Sequence, residues 1–430
     1  MGRIVALFLL LGDVLGIVLS ILAAYFLRGI LLEPNDIALS HYLLFWPFYT
    51  PLLLFAYEGL YTNRYDFWQE TRFIFKALVL ALLIVLSFLA ITKHIEHYSR
   101  FVVVMSFMVM AFVLPLQKRI LKWILFHLGF WKKKAKIYGA DPLLEDSIFD
   151  NYYLGYIKGE GHTIFINSRN LPIQKIEHIL KEQIRQHHEL YFIPLLQDFN
   201  LADSQILELF NARTNLIHLQ NRLHDKKNVL AKEVFDYLVA VMLLLLFSPL
   251  LLLIAGAVWA GNPKAAIFFR QKRLGKDGKT FMILKFRTMY ENADEILQKF
   301  LQEHPHSLEQ WEKYKKLPND PRVTPIGKVL RKFSLDELPQ LLNVIRGEMS
   351  LVGPRPYIPK ELEKMREAKE VILSVRPGIT GLWQVLGRNR LTFDQRLRID
   401  IWYVYNWSLW RDVVILLKTF WTVLKRDGAH

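Results

Sequence analysis

Residues 234–260 read VFDYLVAVMLLLLFSPLLLLIAGAVWA, an apolar run interrupted at its centre by Ser248-Pro249. As one straight helix it would measure roughly 40 Å, enough to cross the roughly 30 Å hydrocarbon layer of a bilayer. Two features argue against crossing. Lys226, Lys227 and Lys232 precede the run and Lys264 and Arg270 follow it, so both flanks favour the cytoplasmic side. Pro249 lacks an N–H and clashes with the carbonyl four residues back, leaving halves of roughly 20 Å, each too short to span. A re-entrant helix over about 234–260, bending at Pro249 and returning, satisfies both features, with Ser248 able to bond a freed carbonyl. A proline-kinked spanning helix is the alternative.

Upstream, four segments have the length and apolar character of transmembrane helices: Ile4–Leu32, His41–Tyr61, Phe73–Ile91 and Phe101–Leu116. The first is too long for a signal peptide and lacks an A-x-A-like cleavage site. One end of this four-helix transmembrane domain (residues 1–117) carries eleven Lys/Arg, from Arg3 through Arg64 and Arg72 to Lys136, against three at the other. That bias places the N-terminus and everything after the fourth helix in the cytoplasm. Asp13 and Glu58, inside apolar spans, read either as a transport path or as a helix–helix contact and a helix-end carboxylate, the plainer reading.

Between residues 135 and 224 the pattern changes. Short β-rich runs (Ala135–Tyr138, Tyr152–Ile157, Thr163–Ile166, Leu190–Ile193, Leu216–Leu219) alternate with helical stretches such as Ile173–Gln186, which predicts a small α/β module with a parallel sheet. The turn after the first strand, Gly139-Ala140-Asp141-Pro142, holds one glycine, whereas a dinucleotide fingerprint needs three. The module reads as a degenerate Rossmann-like unit with a regulatory or assembly role.

Over the whole chain, 52% hydrophobic residues accompany a net charge of +15, with no cysteine. Disulfides, thiolate zinc sites and cysteine nucleophiles are therefore excluded. Of the +15, a net of +12 lies in residues 261–430, which suits anionic lipid or a phosphorylated substrate. Nucleic acid is disfavoured by the neighbouring membrane segments and the lack of a recognisable nucleic-acid fold.

Several stretches of this basic section could carry chemistry. Lys285 and Arg287, two apart in a β-rich run, point to one face of a strand, where they suit a diphosphate or form a plain solvated face. Arg331-Lys332-Phe333-Ser334-Leu335-Asp336-Glu337-Leu338-Pro339-Gln340 places two acids three residues and fewer beyond a serine. Ser334 and Glu337 fit a capping box. Functionally, a carboxylate at a helix N-terminus beside an arginine lies where phosphate also binds. Asp336 could attack phosphorus, while Glu337 could share a hard metal ion or handle a proton. Pro354-Arg355-Pro356 sets Arg355 on stiff, non-helical backbone, either a phosphate clamp or a surface turn. Arg376-Pro377-Gly378-Ile379-Thr380-Gly381 and Gly387-Arg388-Asn389-Arg390 are basic and loop-like. The aromatic stretch Ile401–Trp410 and the amphipathic segment Trp407–Lys425 predict a helix in the membrane surface, or else a core helix.

Together these stretches resemble, in order, the bacterial sugar transferases, or monotopic phosphoglycosyl transferases, from about Lys232 to the C-terminus. The preceding helices and α/β module look like the long form of that family. The resemblance implies a catalytic domain over 228–430 on the cytoplasmic face of the bacterial inner membrane. It implies transfer of hexose-1-phosphate from a UDP-sugar to undecaprenyl phosphate, with UMP released, as the first membrane step of an O-antigen, capsule or exopolysaccharide. Asp336 matches the nucleophile that forms a phospho-aspartyl intermediate, and Glu337 its partner, in a site that uses Mg2+ held by Asp336 and Glu337. Arg331 and Arg355 match phosphate-handling positions, and Lys285, Arg287 and Asp400 match further substrate-binding positions. Residues Trp311-Glu312-Lys313 through Asn319-Asp320-Pro321-Arg322 and the ending Arg426-Asp427-Gly428-Ala429 look most like undecaprenyl-phosphate galactose phosphotransferases. The partners implied are the UDP-sugar, undecaprenyl phosphate and the anionic bilayer; a homodimer is left open. A glucose-1-phosphate transferase of the same family and a non-catalytic membrane assembly protein are the alternatives.

Overall fold

The computed structural model describes residues 2–32, 37–92, 98–139, 141–186, 189–194, 201, 204–209, 214–218, 221–304, 311, 317, 320–387 and 391–425. The chain divides into two units, residues 1–196 and 197–430.

In the first unit, helices α1 (Arg3–Leu31), α2 (Phe67–Ile91) and α3 (Arg100–His127) are each long and apolar enough to cross a membrane. α1 buries Leu9, Ile17, Ile21 and Ala24 while Leu7, Leu11, Leu15 and Leu19 stay exposed. That outward stripe suits lipid rather than water. The segment expected to span at His41–Tyr61 is not one helix. It forms three short pieces, Leu39–Leu44, Trp46–Tyr49 and Thr50–Tyr57. Pro47 and Pro51 mark the breaks: each sits in the first turn of a new piece, where its missing N–H is tolerated.

The acids inside the apolar spans are helix contacts. Asp13 accepts from Tyr61 Oη at 2.7 Å and lies 2.8 Å from Lys118 Nζ. Glu70 takes up Lys122 and the Tyr153 hydroxyl. Each of these charges is fully buried, a placement sustained only by close pairing. Glu58 ends its short helix and pairs with Lys76 at 2.7 Å.

The same unit carries a four-stranded parallel sheet in the order β2-β1-β3-β4. Its strands are β1 (Lys133–Tyr138), β2 (Tyr156–Lys158), β3 (Thr163–Asn167) and β4 (Glu189–Ile193). Helix α4 covers Ile173–Gln186, the predicted range. The strand expected near Leu216–Leu219 does not join this sheet. As β6 (Thr214–His218) it pairs antiparallel with β5 (Gln205–Leu209) in the second unit. Alternating composition identifies a strand, but its partner depends on the turn chemistry around it.

The second unit is built around α5 (Lys226–Gly261), a continuous 36-residue helix through Pro249. Ser248 Oγ donates to Leu245 O at 2.8 Å, the carbonyl that proline at 249 leaves without its usual N–H. One end of α5 is held by polar contacts: Lys232 Nζ meets Asp412 Oδ2 at 2.7 Å and Val352 O at 3.0 Å, and Asp236 accepts from Ser350 Oγ at 2.6 Å. Near its other end, Ile254 and Val258 pack with Phe286 and Leu330. Between these anchors Leu245, Leu246, Leu252 and Leu253 are exposed.

The domain under α5 contains the antiparallel hairpin β7 (Phe268–Leu274) and β8 (Thr280–Phe286), helix α6 (Pro325–Lys332), and the parallel pair β9 (Ser350–Val352) and β10 (Gly378–Thr380). Helices α7 (Phe393–Tyr405) and α8 (Leu409–Lys425) close it. α8 buries Asp412 and Ile415 and exposes Leu417, Phe420 and Trp421. One face is therefore core, and the other is apolar and open.

Candidate active site

Asp336 and Glu337 lie in a single 3-10 turn, Leu335–Glu337. Ser334 enters that turn in the left-handed region, at φ 53°, and makes no capping bond. The expected capping box therefore does not form, because a helix N-cap needs extended backbone. The acids occupy a sharp turn between α6 and the short helix Gln340–Ile345. Leu335 anchors the turn against the cluster of Phe286 and Leu330.

Two cations flank the acids. Lys285, near the end of β8, places Nζ 2.7 Å from Glu337 Oε1. Arg331, in the last turn of α6, donates from Nε to Thr288 Oγ1 at 2.9 Å. α6 can sit this close only because of Gly327, where a Cβ would fall 2.2 Å from Thr288 O. Burial and then the neighbouring Glu337 raise the Asp336 carboxyl above its ordinary range, while Lys285 and Arg331 oppose that rise. Burial lowers the Arg331 guanidinium, with Asp336 and Asp320 pulling it back. Asp320 in turn holds Arg322 through two bonds of 2.8 and 2.6 Å.

The other expected residues fall into two different settings. Arg287, one residue beyond the end of β8, is engaged by backbone carbonyls. Its guanidinium donates to the carbonyls of Ala266, Val258 and Asn262 at 2.7, 3.2 and 3.2 Å, where it satisfies the C-terminus of α5. Asp400 is fully buried on α7 and accepts from the Arg355 backbone N–H at 3.2 Å and the Tyr357 hydroxyl at 2.9 Å. It shapes the Pro354-Arg355-Pro356 loop. Burial pushes its carboxyl up to about 7. The Arg355 guanidinium stands 5.4 Å from the centre of the Trp383 ring. Gly378 N lies so close to Gly353 that a Cβ on Gly353 would sit 2.7 Å away; the two basic loops therefore touch.

Sequence reasoning missed Asn343, which is fully buried. It accepts from Leu284 N at 3.0 Å and donates to Met282 O at 2.9 Å, clipping β8 in the register that delivers Lys285. A lone Asn in a short helix gives no sequence signal of this. Arg388-Asn389-Arg390, Glu312-Lys313, Asn319 and the ending from Arg426 lie outside the described residues.

The donor set suits a hard cation. Two adjacent carboxylates, with Asp336 raised first by burial and then by the charge of Glu337, present oxygens whose repulsion a divalent ion would relieve. Among the described residues no group of three or more His, Asp or Glu gathers. Magnesium commonly uses one or two carboxylates and completes its shell with water and substrate phosphate.

The family model for bacterial sugar transferase matches residues 227–426. An undecaprenyl-phosphate galactose phosphotransferase of Salmonella typhimurium is 35% identical over 86% of this chain and 84% of its own length. A UDP-galactose-lipid carrier transferase of Erwinia amylovora is 32% identical over 86% and 84%. A UDP-glucose:undecaprenyl-phosphate glucose-1-phosphate transferase of Klebsiella pneumoniae is 32% identical over 67% and 62%. With a likeness that runs through both units, the chain belongs to the bacterial sugar transferase family and is an enzyme of the transferase class.

Proposed function

We propose that the protein transfers hexose-1-phosphate, galactose-1-phosphate in particular, from a UDP-sugar to undecaprenyl phosphate and releases UMP. The observation that carries this is the Asp336 carboxylate, set in a rigid turn beside Glu337 and within the fields of Lys285 and Arg331. A carboxylate between two cations can approach a charged diphosphate that would repel it in isolation. In the first displacement an Asp336 oxygen bonds to the sugar-bearing phosphorus while the bond to the bridging oxygen breaks, and that oxygen leaves with UMP. In the second, a lipid phosphate oxygen attacks the same phosphorus and the Asp336 carboxylate departs. Splitting the transfer lets a soluble nucleotide and a membrane lipid use one centre in turn. Lys285 holds Glu337 in place, and Arg331 and Arg355 offset phosphate charge. Asp336 and Glu337 would hold Mg2+, which supplies Lewis-acid neutralisation of the diphosphate.

The chain works in the bacterial inner membrane as a multi-pass protein, with its α/β module and transferase domain on the cytoplasmic side. Basic residues collected at one end of the apolar spans support that orientation. In this reading α5 enters the bilayer, bends at Pro249 and returns, although its 36 residues are long and apolar enough to cross. This reading is supported by both ends being buried against the same domain, by the exposed leucines between them, and by Ser248 serving the carbonyl freed at Pro249. The exposed face of α8 rests on the anionic bilayer surface. The Rossmann-like module serves regulation or assembly, and the product enters a surface polysaccharide. Galactose is favoured over glucose because the likeness to the Salmonella and Erwinia proteins extends over more of both chains than that to the Klebsiella protein.

The test is UMP release by purified protein with Mg2+, undecaprenyl phosphate and a panel of UDP-sugars. UDP-galactose should give the highest kcat/KM. No release with any sugar would overturn the reading.

A further inference from the structure

Three arginines from separate parts of the second unit meet around the Arg355 loop. Arg273, on β7, donates from Nη1 to Pro356 O at 3.0 Å and from Nη2 to Gln271 Oε1 at 2.6 Å. Next to it, Leu274 N donates to Tyr357 O at 2.8 Å, so β7 is fastened along that loop. Arg396 lies one turn before Asp400 on α7 and makes a bond of 3.3 Å to Leu391 O. Asp400 holds the backbone N–H of Arg355 and the hydroxyl of Tyr357. A strand, a proline-locked loop and a helix thus bring three guanidinium groups to one place.

Their hydrogen bonding is incomplete. The Nε groups of Arg273 and Arg396 are buried without a partner. Among the described residues none of the three guanidinium groups forms a salt bridge. The acids that face them are Glu361, Glu337 and Asp400. Glu361 is engaged with the Ile358 N–H, Glu337 with Lys285 and Asp400 with the loop. Burial, and next the Arg355 charge, lower both Arg273 and Arg396. A buried donor without an acceptor is costly, and like charges held together are costlier. Both costs vanish when an oxyanion enters, because guanidinium forks match phosphate oxygens.

We propose that Arg273, Arg355 and Arg396 form a site for the dianionic phosphate of a phosphate monoester, adjoining the Asp336–Glu337 turn. Phosphate monoesters occur at both ends of the reaction under Proposed function, on which the ligand class rests: the departing nucleotide and the prenyl phosphate acceptor carry the same group. Arg273, which feels both Arg355 and Glu337, joins this site to the reacting centre. The three arginines would keep such a group anchored while the sugar-bearing phosphorus is at Asp336.

The test is direct binding, which needs no turnover. The full chain in phosphatidylcholine nanodiscs is titrated with UMP and, separately, with a short-chain prenyl phosphate. Arg396→Gln should weaken one probe by about tenfold or more. Arg273→Lys keeps the charge but loses the fork, and should weaken the same probe while the unfolding midpoint holds. Loss confined to UMP assigns the site to the nucleotide, and loss confined to the prenyl phosphate assigns it to the acceptor. Should Arg396→Gln fail to fold, Arg273→Lys decides alone. Wild-type affinity for both probes in the folded variants, or no binding of either probe by the wild type, overturns the proposal. UMP release from UDP-sugar by the wild type is measured in parallel. Its absence would remove the proposed reaction while leaving a measured arginine-dependent affinity intact.

Discussion

Lys285 Nζ and Glu337 Oε1, 52 residues apart in the chain, stand 2.7 Å apart in the fold. The pair ties β8 to the turn that carries Asp336, and both partners are only partly exposed. Replacing Lys285 by Met removes one of the two cations that favour the ionised Asp336 and frees Glu337 to turn away. UMP release should fall about 100-fold or more, in the range seen when one electrostatic contact to a transition state is lost. Partial exposure keeps the contribution of this pair to stability on the order of 1 kcal/mol, so the unfolding midpoint should move little. A large midpoint shift with little kinetic effect would make the pair a structural tie.

The pH dependence of kcat/KM should report Asp336. The nucleophile must be ionised, and burial followed by Glu337 holds its pKa above the ordinary value. At limiting Mg2+, which when bound would itself favour the ionised carboxylate, activity should therefore rise through an acidic limb placed higher than an exposed aspartate would give. Glu337→Gln removes one of the two causes and should move that limb to lower pH even as the maximal rate falls. An unmoved limb would assign it to another group.

Gly327→Ala puts a methyl group 2.2 Å from Thr288 O, a backbone atom that cannot step aside. α6 must shift, and the Arg331–Thr288 bond goes with it. A loss of about 1–3 kcal/mol in stability and at least a tenfold loss in rate should appear together in unfolding and UMP-release assays.

Arg287 separates structure from binding. Its three carbonyl contacts, two at the end of α5 and one to Ala266 beyond it, imply that Arg287→Ala costs about 1–3 kcal/mol. The KM for UDP-sugar should stay within about threefold at a temperature where the variant is folded. A selective rise in KM would return Arg287 to the substrate.

Asp400 gives a stability signature. Its folded pKa of about 7 lies above the ordinary 3.8, so the stability it contributes is fully present below 3.8 and is lost as pH rises through about 7. Asp400→Asn keeps an acceptor for Arg355 N–H and Tyr357 and removes that loss. The variant should match wild type near pH 4 and exceed it near pH 8, by an amount on the order of 4 kcal/mol. Equal pH slopes in the two proteins would contradict this.

Hydropathy and period made much of this fold legible in the chain. The apolar spans of α1, α2 and α3, the strands β1, β3 and β4 and the limits of α4 follow from local pattern alone. His41–Tyr61 looks like one span because averaged hydropathy ignores what Pro47 and Pro51 do to backbone hydrogen bonds. β6 was recognisable as a strand but not as part of a separate antiparallel pair. At the site, Asp336, Glu337, Lys285 and Arg331 stand in recognisable stretches and do come together. Strand alternation put Arg287 on the same face as Lys285, yet could not show that carbonyls at and beyond the end of α5 take up its guanidinium. Asn343, Arg273 and Arg396 act through tertiary contacts at separations that no local pattern encodes.

The central claim is that Asp336 becomes covalently phosphorylated. It is tested most directly by incubating the protein with UDP-galactose and Mg2+ without lipid acceptor, quenching in acid, and mapping the peptides by mass. The account predicts a hexose-phosphate adduct on the peptide containing Asp336, absent in Asp336→Asn and discharged when undecaprenyl phosphate is added. An adduct on another residue, or full turnover by Asp336→Asn, would contradict it.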